Sequence, residues 1–228
     1  MKISSLTWLG WEFIQISCEA RSGKTAAEQG EAVFDQARAA LASHGLTLSD
    51  TIRSRVFGVD RPARDAISKS RFEALKGKDR AASSSYIAPR HFASDALVAL
   101  DLIAVRPPPG VAKVAKEYAP PRAPICYVEL GTLLVLSGNT SELATLEAQL
   151  LHDILPRVQD YLKEAGSGWD QIVNVSCYLH ENEDARELRQ CFSEFAKPFP
   201  PRFEIFFVEG FSVPGKLVEV EVTAHRNA

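Results

Sequence analysis

The chain repeats itself once, and this limits its architecture more than any other feature. Ser17, Gly45, Arg80 and Ala104 reappear in the same order as Ser137, Gly166, Arg202 and Ala224, a period of about 120 residues. Each copy reads ββαβαββ, an α+β unit with its helices on one face of a sheet. In the first copy, Phe13–Ser17 reads as a strand. Thr25 and Glu28 form a capping box ahead of a helix striped by Val33, Ala37, Ala40 and Leu41 and closed at Gly45. Thr51–Val59 is a strand rich in β-branched residues, broken at Asp60-Arg61-Pro62, and Asp65–Lys76 is a helix with Ile67, Phe72 and Leu75 inward. Strands follow around Ser83–Ile87 and Leu97–Ala104. In the second copy, Leu133–Gly138 is a strand. Leu146, Leu150, Ile154, Val158 and Leu162 stripe a helix that ends at Gly166 and is expected either to kink at Pro156 or to start nearer to it. Gln171–Leu179 and Glu183–Phe195 are the next strand and helix. Pro107-Pro108-Pro109-Gly110 and Pro120-Pro121 mark a connector, which divides the chain into residues 1–106, 107–123 and 124–228.

The end of the chain carries a second constraint. Val218, Val220 and Val222 point to one face of a strand, and Leu217, Glu219, Glu221 and Thr223 to the other. The segment Arg202–Val208, joined to it by a turn at Pro214-Gly215, is expected to pair with it as a hairpin and bring Arg202 near the acidic face. Two readings stay open: a site for a small carboxylate, or a cross-strand ion pair on a solvated sheet.

Composition narrows the function classes. A net charge of −3 and a pI near 6.0 give no general case for nucleic acid, and no apolar run approaches the roughly 20 residues of a membrane span. The N-terminus lacks a signal-peptide core, and Cys18, Cys126, Cys177 and Cys191 form no CxxC, which suits reduced, buried thiols in a cytoplasmic protein. The five histidines show no metal-ligand spacing, and no phosphate-binding or nucleophile-elbow motif is present. Trp8, Trp11 and Trp169 read as core or interface anchors.

In the second half, Leu136-Ser137-Gly138, the helix closing at Gly166, Gln171-Ile172-Val173-Asn174-Val175-Ser176-Cys177-Tyr178-Leu179, Pro201-Arg202 and Val218-Glu219-Val220-Glu221-Val222 follow one another at fixed spacing. In the first half, Gly45–Asp50, Arg55–Asp60, Arg80 and Leu100–Ala104 do the same. This order, seen twice, resembles the RidA/YjgF family of small enamine and imine deaminases, in tandem. The resemblance implies two RidA/YjgF-like (chorismate mutase-like) ββαβαββ domains, clefts between subunits, and a homo-oligomer, with a homotrimer of tandem chains the simplest closed form. It implies an Arg that holds the substrate carboxylate and a last-strand Glu that positions water, matched here by Arg202 and Glu219 as the catalytic pair. Ser137, Gly138 and Arg80 join Arg202 as substrate-binding residues. Neither a metal nor an organic cofactor is implied. A guanidinium fork grips a carboxylate bidentately, and a carboxylate within reach of water can act as general base.

The sequence departs from the family pattern in two places. Ala99 stands where the first half should carry the Glu, so that half is expected to have a degenerate site and the second half to be the active one. Glu204 replaces a frequent Cys two residues after Arg202. The expected function is hydrolytic deamination of a reactive enamine or imine carboxylate, of the 2-aminoacrylate or aminomuconate type, with release of ammonia. The alternative is a non-catalytic small-ligand-binding or scaffold protein. Chorismate hydrolysis is a weaker option.

Overall fold

The computed structural model describes residues 1–122 and 124–226. The first half runs β1 (Lys2–Trp8), β2 (Trp11–Glu19), α1 (Ala26–Ser43), β3 (Thr51–Gly58), α2 (Arg61–Ala74), β4 (Ala82–Ile87) and β5 (Val98–Arg106). Its sheet has the order β1-β2-β5-β3-β4, with β3 and β4 parallel and the other neighbours antiparallel. The capping box forms as expected: Thr25 accepts from the Glu28 amide while Glu28 caps the Thr25 N–H. Asp60-Arg61-Pro62 does more than end a strand. Asp60 caps α2, and Pro62 sits in its first turn, where no N–H is needed.

The second half repeats the order: β7 (Tyr127–Leu130), β8 (Leu133–Leu136), the short β9 (Asn139–Thr140), α3 (Leu146–Gln149), α4 (Leu155–Glu164), β10 (Ile172–His180), α5 (Ala185–Phe195), β11 (Phe203–Val208) and β12 (Val218–His225). A π-helical turn over Leu150–Ile154 joins α3 to α4. It lies just ahead of Pro156, whose ring excludes the ordinary helical bond, so the expected kink takes the form of a wider turn. The stretch read as a connector contributes β6 (Lys113–Lys116), which pairs with β7 and extends the second sheet to the order β11-β10-β12-β8-β7-β6.

Each sheet packs its own helices on one face. Val33, Phe34, Leu41, Ile67 and Leu100 fill the first helix–sheet core, and Leu150, Val158, Phe192, Val220 and Val222 the second. The other faces of the two sheets pack against each other. Trp11, Phe13, Ile52, Val128 and Val135 fill one end of that interface, and Phe57, Tyr86, Tyr178 and Phe211 the other. Helices therefore lie outside and the sheets meet inside.

The outer edge of β4 is stitched to the second half. Gly138 N–H donates to Ser83 O at 3.2 Å, Ser83 N–H donates to Ser137 Oγ at 3.2 Å, and Ile87 N–H donates to Gly210 O at 2.9 Å. Among the described residues its counterpart β11 has no such cover, and Phe206 and Phe207 are 43% and 55% exposed.

Candidate active site

The hairpin expected between β11 and β12 does not form. β10 lies between them, parallel to β11 and antiparallel to β12. Val175 pairs with both Phe203 and Val222, so Arg202 stands level with Thr223. Arg202 is thus two strands away from Glu219 and four residues up the sheet, about 13 Å at 3.3 Å per residue. It pairs with Glu204 at 2.8 Å, and its side chain is 64% exposed. The strand expected over Arg202–Val208 begins at Phe203, so Arg202 sits just ahead of it, and it does not lie beside Glu219, because a parallel crossover through α5 separates the two pairings.

Strand pairing also fixes the repeat. Leu102 pairs with Ser54 as Val222 pairs with Val175, and Ser83 pairs with Ser54 as Phe203 pairs with Val175. On this register Asp101 corresponds to Glu221 and Ala99 to Glu219, as the sequence spacing implies. The counterpart of Arg202 is Ala82, not Arg80. Arg80 lies two residues earlier, where it pairs with Glu117 at 3.1 Å and donates to Arg122 O, fastening the connector to the first half.

Glu219 and Glu221 project from β12 toward the first half and meet opposite fates. Glu221 is held by Arg53 at 2.9 Å and by Arg55 at 2.6 Å, and accepts from Ser84 Oγ and Tyr86 Oη. Burial pushes its carboxyl up, but Arg53 and Arg55 outweigh it and hold the group near 2. Glu219 has no ion pair among the described residues. Burial first, then the Glu221 charge, pushes it up to about 8, against the weaker pull of Lys216, Arg71 and Arg64. At neutral pH it is a carboxylic acid.

Glu219 faces a cavity of about 280 Å³ that wraps round the edge of β4. Arg64, Ser68, Arg71 and Phe72 of α2, Ser83–Ser85 of β4, and Arg80 form its first-half wall, and Gly138, Thr140, Ser212 and Lys216 its second-half wall. Phe72, expected inward, is 50% exposed at this cavity. Arg71 donates to Ser84 O at 2.5 Å, and burial with the neighbouring Arg64 lowers it to about 10, so it stays charged at pH 7. Arg64 donates to Ser85 Oγ at 2.8 Å and pairs with Asp65. Gly138 is required by the approach of Glu219: a Cβ there would overlap Oε1 and sit 2.7 Å from Cγ.

Of the expected site residues, Glu219, Gly138 and Arg80 line this cavity, Ser137 lies behind it as a bridge to β4, and Arg202 is elsewhere. The α2 residues went unrecognised. Arg64, Ser68 and Arg71 share one helix face at i, i+4 and i+7, a signal in the sequence that is indistinguishable from a solvated face until the second half covers it. The Cys177 thiol is raised by burial, as a core residue should be. Among the described residues no cluster of three or more His, Cys, Asp or Glu could hold a metal ion, and no helix is long and apolar enough to cross a membrane.

The family model described as Endoribonuclease L-PSP matches residues 123–226. A solved member of the YjgF/YER057c/UK114 family from Mycobacterium tuberculosis is 23% identical, and the match covers 50% of this chain and 99% of that one at a TM-score of 0.45. A putative endoribonuclease L-PSP from Entamoeba histolytica is 24% identical over 49% of this chain and 93% of its own, at a TM-score of 0.43. A chorismatase structure covers 96% of this chain and 78% of its own at a TM-score of 0.66 and 14% identity, a likeness of fold across both halves. No curated protein matches the chain. The second half thus matches the Endoribonuclease L-PSP family model, the RidA/YjgF group, and the first half repeats the strand order of the second.

Proposed function

We propose that the chain hydrolyses a small carboxylated enamine or imine and releases ammonia, using Glu219 as a proton carrier and Arg71 to hold the carboxylate. The observation that supports this most is a buried carboxyl, shifted by its surroundings toward the protonated form, facing a cation-lined cavity. With an enamine such as 2-aminoacrylate, Glu219 gives its proton to the terminal carbon, and the C=C bond becomes a C=N iminium. The resulting carboxylate takes a proton from water as the water oxygen bonds to the iminium carbon. Glu219 then protonates the nitrogen, the C–N bond breaks, and the hydroxyl proton returns to Glu219 as the carbonyl forms. Enamine and water become oxo acid and ammonia, and the enzyme ends as it began. A group that titrates near 8 serves as both acid and base close to neutrality.

This differs from the expectation in which Arg202 grips the substrate, and it moves that task to α2. Self-association belongs to the same reading. The exposed edge of β11 is placed to be covered by another copy, as β4 is covered within the chain. A homotrimer remains the expected form, and light scattering that gives only monomer at micromolar concentration counts against it.

A second reading uses the same proton delivery. An enol ether with a carboxylate would be protonated at its terminal carbon and attacked by water in the same way, releasing an alcohol in place of ammonia. The whole-chain likeness to a chorismatase fold makes this the competing chemistry to test. The experiment is steady-state product release from freshly generated 2-aminoacrylate and from a carboxylated enol ether. Ammonia release above the solvent rate, lost by about 10²–10⁴-fold in Glu219→Gln, supports the first reading. Alcohol release alone supports the second. No acceleration of either leaves a ligand-binding protein.

A further inference from the structure

The cavity holds more positive charge than a single substrate carboxylate would neutralise. Four cations line it against one carboxyl, Glu219. Two of the four are already balanced, Arg80 by Glu117 and Arg64 by Asp65. Among the described residues, Arg71 donates to a backbone carbonyl, Ser84 O, and Lys216 to a hydroxyl, Ser212 Oγ at 2.8 Å. Neither makes a salt bridge among the described residues. A cation withdrawn from water without a paired carboxylate is costly; both are half-buried, and the two stand on different halves of the chain.

The cavity's shape agrees with this count. Lys216, Gly138 and Thr140 line both this cavity and an adjoining one of about 510 Å³, so Lys216 marks the place where a longer ligand would continue. Two hydroxyls of the wall, Ser54 Oγ and Ser68 Oγ, are buried without a hydrogen-bond partner. Buried hydroxyls normally find one, and both are available to an acceptor group in the cavity.

We infer that the site takes a substrate with two carboxylates, one on Arg71 with the α2 hydroxyl Ser68 and the other on Lys216, with the reacting carbon between them at Glu219. The inference rests on reading this cavity as the substrate site. It makes the preferred substrate a dicarboxylic enamine or imine. The reaction that supplies it would then be one that leaves an unsaturated amine on a dicarboxylic skeleton.

The test is calorimetric binding of stable oxo acids to the full chain: 2-oxoglutarate as the dicarboxylate probe and 2-oxobutyrate as the monocarboxylate. The dicarboxylate should bind at least about tenfold tighter. Lys216→Met should bring the ratio of the two affinities close to one, Lys216→Arg should preserve it, and Arg71→Gln should weaken both probes. Thermal melts identify any variant that has not folded, and the Lys216→Arg comparison stands if Lys216→Met fails. Equal affinities for the two probes in the unmodified chain, or an unchanged ratio in Lys216→Met, overturn the inference. If 2-aminoacrylate is still hydrolysed in that case, the deaminase reading survives alone. If neither probe binds and no ammonia is released, both fall.

Discussion

Arg53 of β3 and Glu221 of β12 lie 2.9 Å apart across the junction of the two halves, with side chains only 4% and 1% exposed. Arg55 joins them at 2.6 Å. The repeat thus does not simply duplicate a domain. It puts a cation pair on one copy and its counter-charge on the other. Glu221→Ala leaves two buried guanidiniums without a carboxylate, and should lower stability by about 3–5 kcal/mol. Urea unfolding of the variant and the parent chain measures this, and a loss under about 1 kcal/mol would mean that water reaches the junction.

Gly138 is a glycine because Glu219 lies over it. Gly138→Ala should displace the carboxyl and cut turnover by at least about tenfold, since small misplacements of a reacting group are expensive. Combining it with Glu219→Ala removes the overlap. The Gly138→Ala change should then cost little stability in the Glu219→Ala background and about 1–3 kcal/mol in the parent, the usual penalty of overpacking. Equal costs in both backgrounds would show that the carboxyl is not the obstacle.

The two last-strand carboxyls give opposite pH dependences. Glu219 keeps its proton up to about 8 when folded against 4.5 for an ordinary carboxyl. Between those values the folded state binds the extra proton, so this contribution is complete below about 4.5 and is lost as pH rises toward 8. Glu221, held near 2, contributes above about 4.5 and loses that contribution as pH falls toward 2. Glu219→Gln should therefore flatten the decline in melting temperature between pH 5 and 8 and leave the acid limb unchanged. A parent chain whose stability rises across that interval would place the Glu219 proton wrongly.

Arg71 and Arg202 offer a direct comparison. Arg71→Gln removes the cavity's unpaired guanidinium and should raise KM for a carboxylated enamine by at least about tenfold, in line with the loss of a charge-assisted bond. Arg202→Gln breaks an exposed pair with Glu204, and exposed pairs contribute about 0–1 kcal/mol to stability. Its effect on KM should be much the smaller of the two. The reverse order would return the carboxylate to β11 and imply that a neighbouring chain completes the site.

Much of the fold was legible in the residues. The Thr25–Glu28 capping box, the apolar stripe from Leu146 to Leu162, the alternation of Val218, Val220 and Val222, and the repeat are local signals of period, cap and spacing. They follow from backbone geometry that acts within a few residues. Glu219 and Gly138 were singled out by the family resemblance, which matches them by their place in the order of elements. The correspondence of Ala99 with Glu219 followed from the order and spacing of the repeat.

What the sequence determined is therefore the elements, their order, their duplication and the acidic face of the last strand. It did not determine what that face meets. Whether β11 pairs with β12 or with β10, whether Glu221 lies in water or against Arg53 and Arg55, and whether α2 shows Arg64 and Arg71 to solvent or to a cavity are decided by sheet order and by the docking of one half on the other. Contacts between the halves join residues far apart in the chain, Arg53 with Glu221 among them. Their strength comes from the removal of water when two faces close, and no local pattern records which face will close on which.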